Sequence, residues 1–127
     1  MSAFEPELLR LVRVDQLIDN VAGSEEVACM VIAEFLLHVD AQLADISAGF
    51  ERNDLPDAAS AAHRFKGSLA AVYAASSALS RAHAIDVAAR HRDVATAQRE
   101  LTELVVQVRE ITQALRRWCE QRKGSAA

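Results

Sequence analysis

Cysteine, proline, glycine and aromatic residues are all scarce in this chain, and each scarcity removes a class of protein. The two cysteines, Cys29 and Cys119, are too few for a disulfide scaffold and have no zinc-ligand spacing. They read instead as two buried free thiols in a reducing compartment. Only four glycines and two prolines punctuate 127 residues, which leaves too few turns for a many-stranded sandwich or barrel. Alternating strand patterns are nearly absent as well. No apolar run reaches the roughly 20 residues that span a bilayer, and no basic stretch followed by an apolar core opens the chain. A cytoplasmic protein without a membrane partner is expected. Basic charge is also in short supply: the net charge of −4 argues against a nucleic-acid binder, which needs a concentrated cationic surface.

What remains is alanine-rich and periodic. Half of the residues are apolar and a quarter are charged, an ordinary balance for one globular domain with a single core. Residues 4–13 predict a short helix with Pro6 in its first turn, and residues 14–21 a second one with Leu17, Ile18 and Val21 on one side. Gly23 ends it. Ser24 then caps a long helix to about residue 48, whose apolar face is Val27, Val31, Phe35, Val39, Leu43 and Ile46. Asp54 caps the next helix, with Pro56 tolerated in its first turn, and that helix should persist to about Tyr73. Ser76 or Ser77 is expected to cap a helix over residues 78–91, and Asp93 a last one that ends in a fraying tail over 121–127. The fold class is therefore all-α. It is an antiparallel four-helix bundle, core about 14–118, with a short N-terminal helical extension over residues 1–13.

The stretch Ala62-His63-Arg64-Phe65-Lys66-Gly67-Ser68-Leu69-Ala70-Ala71-Val72 stands out. On a helix, Ala62, Phe65, Leu69 and Val72 form one apolar stripe, and His63 lies about 100° away from it. Beside the imidazole stand Ala59 and Ser60 one turn before, Lys66 and Gly67 one turn after, and Ala70 two turns after. A solvated helix face normally carries long charged side chains, whereas this one is small except for Lys66. Gly67 costs the helix about 1 kcal/mol relative to Ala. Stability given up to keep one imidazole bare implies that another molecule must reach it.

These residues resemble the signature of histidine-containing phosphotransfer (HPt) domains: a His, any residue, an apolar residue, Lys, Gly, then Ser or Ala. Glu34-Phe35-Leu36 on the preceding long helix and Ile85-Asp86 on the following one are also similar to that family. The resemblance implies that His63 accepts a phosphoryl group from a receiver-domain aspartyl phosphate and passes it on, making the chain a covalent phosphocarrier in a two-component phosphorelay. It further implies that Lys66 steadies the phosphoryl oxygens, and that Ala59, Ser60, Arg64, Gly67, Ser68 and Ala70 meet the partner. Response-regulator receivers and a hybrid sensor histidine kinase are the expected partners, with the chain itself a monomer. Neither metal nor cofactor is expected, because the receiver supplies the Mg²⁺. The chemistry is consistent with this, since an exposed imidazole, of reference pKa about 6.5, keeps a free lone pair at neutral pH.

Two positions depart from the family pattern. Tyr73 stands where the family often has glycine, and the polar residue that orients the His ring has no obvious counterpart. Counting without a gap lands on Ile85, with Arg81, His83 and Asp86 as nearby candidates. The rival reading is a bundle adaptor that binds a receiver or kinase without being phosphorylated. His38, His83 and His91 have no matched metal-ligand spacing, and Arg109, Arg116, Arg117, Arg122 and Lys123 read as a solvated basic end near a helix C-terminus.

Overall fold

The computed structural model describes residues 6–126, with side chains described through Lys123. Six helices follow one another: α1 (Pro6–Leu11), α2 (Val14–Asn20), α3 (Glu25–Glu51), α4 (Leu55–Ala71), α5 (Ser76–Arg90) and α6 (Val94–Ala126). The connections at 52–54, 72–75 and 91–93 are three or four residues long, so each long helix turns back antiparallel to the last. Helix α3 packs on α4, α4 on α5 and α5 on α6, and α6 closes the bundle against α3. Helix α1 lies on α6, and α2 on α3. The all-α bundle with a helical N-terminal extension is thus observed. Phe4 and Glu5 of the expected first helix lie outside the described residues.

Three of the four long helices start where a side chain can accept an orphan amide. Ser24 accepts from the Val27 N–H at 3.1 Å, Asp54 from Asp57 at 3.1 Å, and Asp93 from Thr96 at 3.2 Å. Helix α5 differs from expectation: Ala75 is its N-cap and no side chain caps it. Ser76 and Ser77 lie within its first turn, where Ser77 Oγ instead accepts from Gln107 Nε2 of α6 at 2.6 Å. At the other end of the chain, where polar composition predicts fraying, α6 stays helical through Ala126.

Helix α4 stops at Ala71, two residues earlier than its pattern suggests. Tyr73 takes a left-handed backbone with φ +56°. The Tyr73 N–H donates to Ala70 O and the Ala74 N–H to Leu69 O, each at 3.0 Å, which is the paired closure of a helix normally ended by glycine. A non-glycine residue there costs about 1–2 kcal/mol. The segment between α1 and α2 straps this turn down: the Arg13 N–H donates to Tyr73 O at 2.9 Å and the Ala75 N–H to Leu11 O at 2.7 Å. Ordinary side-chain sterics lose here to a turn held from both sides.

The core runs the length of the bundle through Ile32, Ile46, Phe65, Leu69, Ile85, Leu104 and Ile111, all fully buried. On α3 the buried stripe is narrower than the apolar one. Phe35, Val39 and Ile46 face inward with Ala28 and Ile32, whereas Val27 (41 %), Met30 (65 %) and Leu37 (73 %) are exposed. These outer residues raise the mean hydropathy of α3 to 1.6 over one window, long and apolar enough by composition to cross a membrane. That corrects the reading that no segment reaches the threshold. The inward residues of α3 nevertheless belong to the bundle core. Near the C-terminus Arg122 is not solvated either, since its guanidinium stacks over buried Trp118 at 4.9 Å.

The two cysteines are half-buried rather than buried, and the fold sets them side by side. Burial and then the neighbouring Cys29 thiol push the Cys119 thiol up to about 12. Helices α3 and α4 approach closely at Gly49, where an added Cβ would sit 2.8 Å from both Cα and N of Ala58. Backbone cannot swing aside as a flexible side chain can. Gly49→Ala should therefore destabilise the fold by about 1–3 kcal/mol, read as a lower urea midpoint. An unchanged midpoint would mean that the two helices part there without cost.

Candidate functional site

Four residues set the rotation of α4. Ala58, Ala62, Phe65 and Leu69 are fully buried against the neighbouring helices. Fixing that stripe inward turns His63 outward, and its side chain is 70 % exposed. Ser60, Arg64, Gly67 and Ala70 are exposed around it, while Lys66 and Ser68 are half-buried. The Ser68 hydroxyl donates to Arg64 O at 3.5 Å. A Cβ built on Gly67 would meet nothing within 4 Å, so space beside the imidazole is open. Ala59 is the exception. It is fully buried, one step round from Ser60 on the side that meets the bundle, and so is not part of the surface a partner would touch.

Behind the ring stands a carboxylate. Asp86 of α5 is only 7 % exposed, and its Oδ2 lies 3.6 Å from His63 Nδ1. That is ion-pair distance, just beyond a hydrogen bond. Its other oxygen, Oδ1, accepts from Arg90 Nε at 2.5 Å, one turn further along α5. Of the three candidates for orienting the ring, Arg81 is engaged elsewhere, with Glu100 at 3.2 Å and Gln107 at 3.3 Å on α6. Asp86 is the one that faces His63. Sequence reasoning did not single out Arg90. The available signal was an acid and an arginine four apart on a helix otherwise lined with alanine.

Lys66 and Arg64 take part in no ion pair among the described residues. Two uncommitted cations beside an exposed imidazole form a local field that favours an arriving anion, although the chain as a whole is acidic. The carboxylate behind Nδ1 favours a proton on that nitrogen, which leaves the lone pair on Nε2 pointing outward. The arrangement provides an outward nucleophile, a group that steadies its far side, and cations for the incoming oxygens.

Along the seam between α3 and α4 runs a second surface feature, a groove of about 460 Å³ lined by Val27, Met30, Val31, Phe35, Ser68 and Val72. On its wall, His38 Nε2 and Glu34 Oε1 of α3 are 3.0 Å apart. Sequence periodicity assigned Val27 to the core. It sits at the edge of this groove instead, because the inward stripe of α3 is centred on Ala28 and Ile32.

What fold and site define together is a helical bundle carrying an open nucleophile on the middle of one helix, with no enclosing cleft around it. The family model described as "Hpt domain" matches residues 30–121, most of the chain and all of α4 and α5. The chain belongs to the Hpt domain family and so takes part in histidine phosphotransfer within phosphorelays. The match begins within α3, so the α1–α2 extension lies outside it. Comparison with curated proteins and comparison with solved structures each gave no match.

Proposed function

We propose that this chain is a phosphorelay carrier whose His63 takes a phosphoryl group from a receiver-domain aspartyl phosphate and hands it to a second receiver. One observation carries the reading: His63 is 70 % exposed in mid-helix while the residues that fix its helix are fully buried. On this chain the bond changes themselves fall on His63 alone. The Nε2 lone pair attacks phosphorus, the bond from phosphorus to the aspartyl oxygen breaks, and the departing carboxylate keeps that electron pair. The ring now carries phosphorus on Nε2 and a proton on Nδ1, and is cationic. Asp86 behind Nδ1 offsets that charge, and Lys66 offers its ammonium to the phosphoryl oxygens. The second transfer reverses the bookkeeping, with the phosphorus–nitrogen pair returning to Nε2.

Partner recognition follows from the same surface. Receivers, and a hybrid sensor kinase that carries one, dock over Ser60, Gly67 and Ala70 with Arg64 at the side. The α3–α4 groove, which includes Ser68, supports this by offering apolar area on the helix that carries His63. The receiver brings its own Mg²⁺ and acidic pocket, and this chain acts as a monomer in the cytoplasm.

His63→Gln should abolish uptake of label from a phosphorylated receiver. It should change unfolding by no more than about 0.5 kcal/mol, as usual for a surface substitution. Label on wild type should be acid-labile and base-stable. Binding of a receiver without such label would leave the adaptor reading in its place.

Lys66→Ala removes a charged contact of a kind worth about 1.5–3 kcal/mol. Transfer should slow about tenfold or more, without loss of helix content by circular dichroism. An unaltered rate would take Lys66 out of the site.

Gly67→Ala separates folding from docking. Open space around Gly67 and its place inside a helix predict a gain of about 1 kcal/mol in stability, accompanied by slower transfer because a methyl group intrudes on the docking face. A variant that is both more stable and equally fast would show that no partner approaches that close.

A further inference from the structure

Asp86 and Thr112 are the two polar residues buried among the described side chains, and a buried carboxylate requires partners. Asp86 divides itself between two. Arg90 Nε holds Oδ1 at 2.5 Å and leaves Oδ2 at 3.6 Å from His63 Nδ1. A fork-to-fork arginine pair would occupy both oxygens; the Nε contact to Oδ1 leaves the second one facing the imidazole. Arg90 itself is 57 % exposed, and among the described residues its only polar partner is Asp86. Its role is therefore not to tie α5 to a neighbouring helix.

We propose that Arg90 is a positioning residue acting through Asp86: it aims the carboxylate so that Oδ2 meets His63 Nδ1, and it offsets the carboxylate's charge so that the ring gives up its extra proton and keeps Nε2 nucleophilic. This rests on His63 being the phosphoacceptor. The two halves of the role have separate consequences. Aim decides which nitrogen carries the proton in the neutral ring. Charge decides how strongly the carboxylate favours a cationic ring, either protonated or phosphorylated. With Arg90 gone, Asp86 would face His63 as an unshared negative charge. The imidazolium would then persist to higher pH and uptake at neutral pH would fall. The phosphorylated ring, also cationic, would hold its phosphoryl group longer. Arg90 thereby keeps the site ready both to accept and to release.

The other charged groups around the ring do not compete for this role. Arg64 and Lys66 share its helix and are cations that disfavour a charged imidazole. From α3, no charged group reaches ion-pair distance of His63 among the described residues. His83, one turn before Asp86 on α5, is another exposed imidazole, so His83→Gln in each background assigns the limb to His63.

The test uses the full chain and two readouts that dispense with a receiver: imidazole ¹⁵N shifts, which report the tautomer, and the rate of uptake from phosphoramidate against pH. In that reaction His63 Nε2 takes the phosphoryl group, the phosphorus–nitrogen bond of the donor breaks, and ammonia leaves. Wild type should show a proton on Nδ1 in the neutral ring. Arg90→Ala should move the acid limb up by about one pH unit, giving about tenfold slower uptake on the acid side of the limb that recovers in alkali. Arg90→Lys should restore the limb through its charge but leave a mixed tautomer, because an ammonium cannot hold the carboxylate as the planar Nε edge does. Should Arg90→Ala fold poorly, Arg90→Gln keeps a hydrogen bond without the charge and should show the shifted limb. In an Asp86→Asn background, removing Arg90 should add nothing. An unmoved limb and tautomer in a folded Arg90 variant would overturn the proposal, and so would an Arg90 effect undiminished by Asp86→Asn. Failure of the relay reading would show instead as receiver label on His63→Gln, with these readouts intact.

Discussion

The rotation of α4 about its own axis is the constraint on which the rest of the molecule depends. Phe65 and Leu69 have no exposed surface, and withdrawing either from the core would cost several kcal/mol. That cost holds the helix in one phase. His63 is two residues before Phe65, so the same packing that buries the ring of Phe65 obliges the imidazole to face water. The exposure of the site is thus not a local property of a loop that might close. It is enforced by the core, and a bundle whose helices are joined by three or four residues has little freedom to undo it.

Much of this was legible in the sequence, because it depended on period and chain order. The apolar stripe of α4, the caps at Ser24, Asp54 and Asp93, and the outward phase of His63 all follow from helical spacing within a single segment. What was not legible depended on how two segments meet. Ala59 was assigned to the open face because small residues look alike whether they admit a partner or a neighbouring helix; here it is buried in the bundle. Val27 was assigned to the core because α3 is apolar over more of its circumference than α4 and α6 can cover. Ser76 and Ser77 were read as caps from their chemistry, but Gln107, thirty residues on, claims the Ser77 hydroxyl.

Tyr73 shows the same limit from the other side. Its sequence context reads as continuing helix, and tyrosine resists a positive φ. The turn forms because Ala74 and Tyr73 close the helix behind it while Arg13 and Ala75 bond across to and from the α1–α2 segment. A distant strap of backbone decides the conformation, and no pattern local to residue 73 reveals it. The extension that lies outside the family match therefore has a structural role: it secures the connection between the helix that carries His63 and the helix that carries Asp86.

That connection matters because the site is divided between two helices. His63 and its flanking cations belong to α4, Asp86 and Arg90 to α5, and the 3.6 Å contact between them depends on the relative height of the two helices. Slide α5 by one residue, about 1.5 Å, and rotate it by the accompanying 100°, and Ile85 or Val87 would face the imidazole instead. Neither can hold a proton on Nδ1. Buried alanines, Ala62 on α4 and Ala78 and Ala82 on α5, let the helices approach closely but give little resistance to sliding, since small side chains interlock weakly. Large residues at Phe65, Leu69 and Ile85 fix the height from within, and the turn at Tyr73 fixes it from the end. The chemistry at the surface is therefore set by register, and the register is set by a core and a turn that never touch the reacting atom.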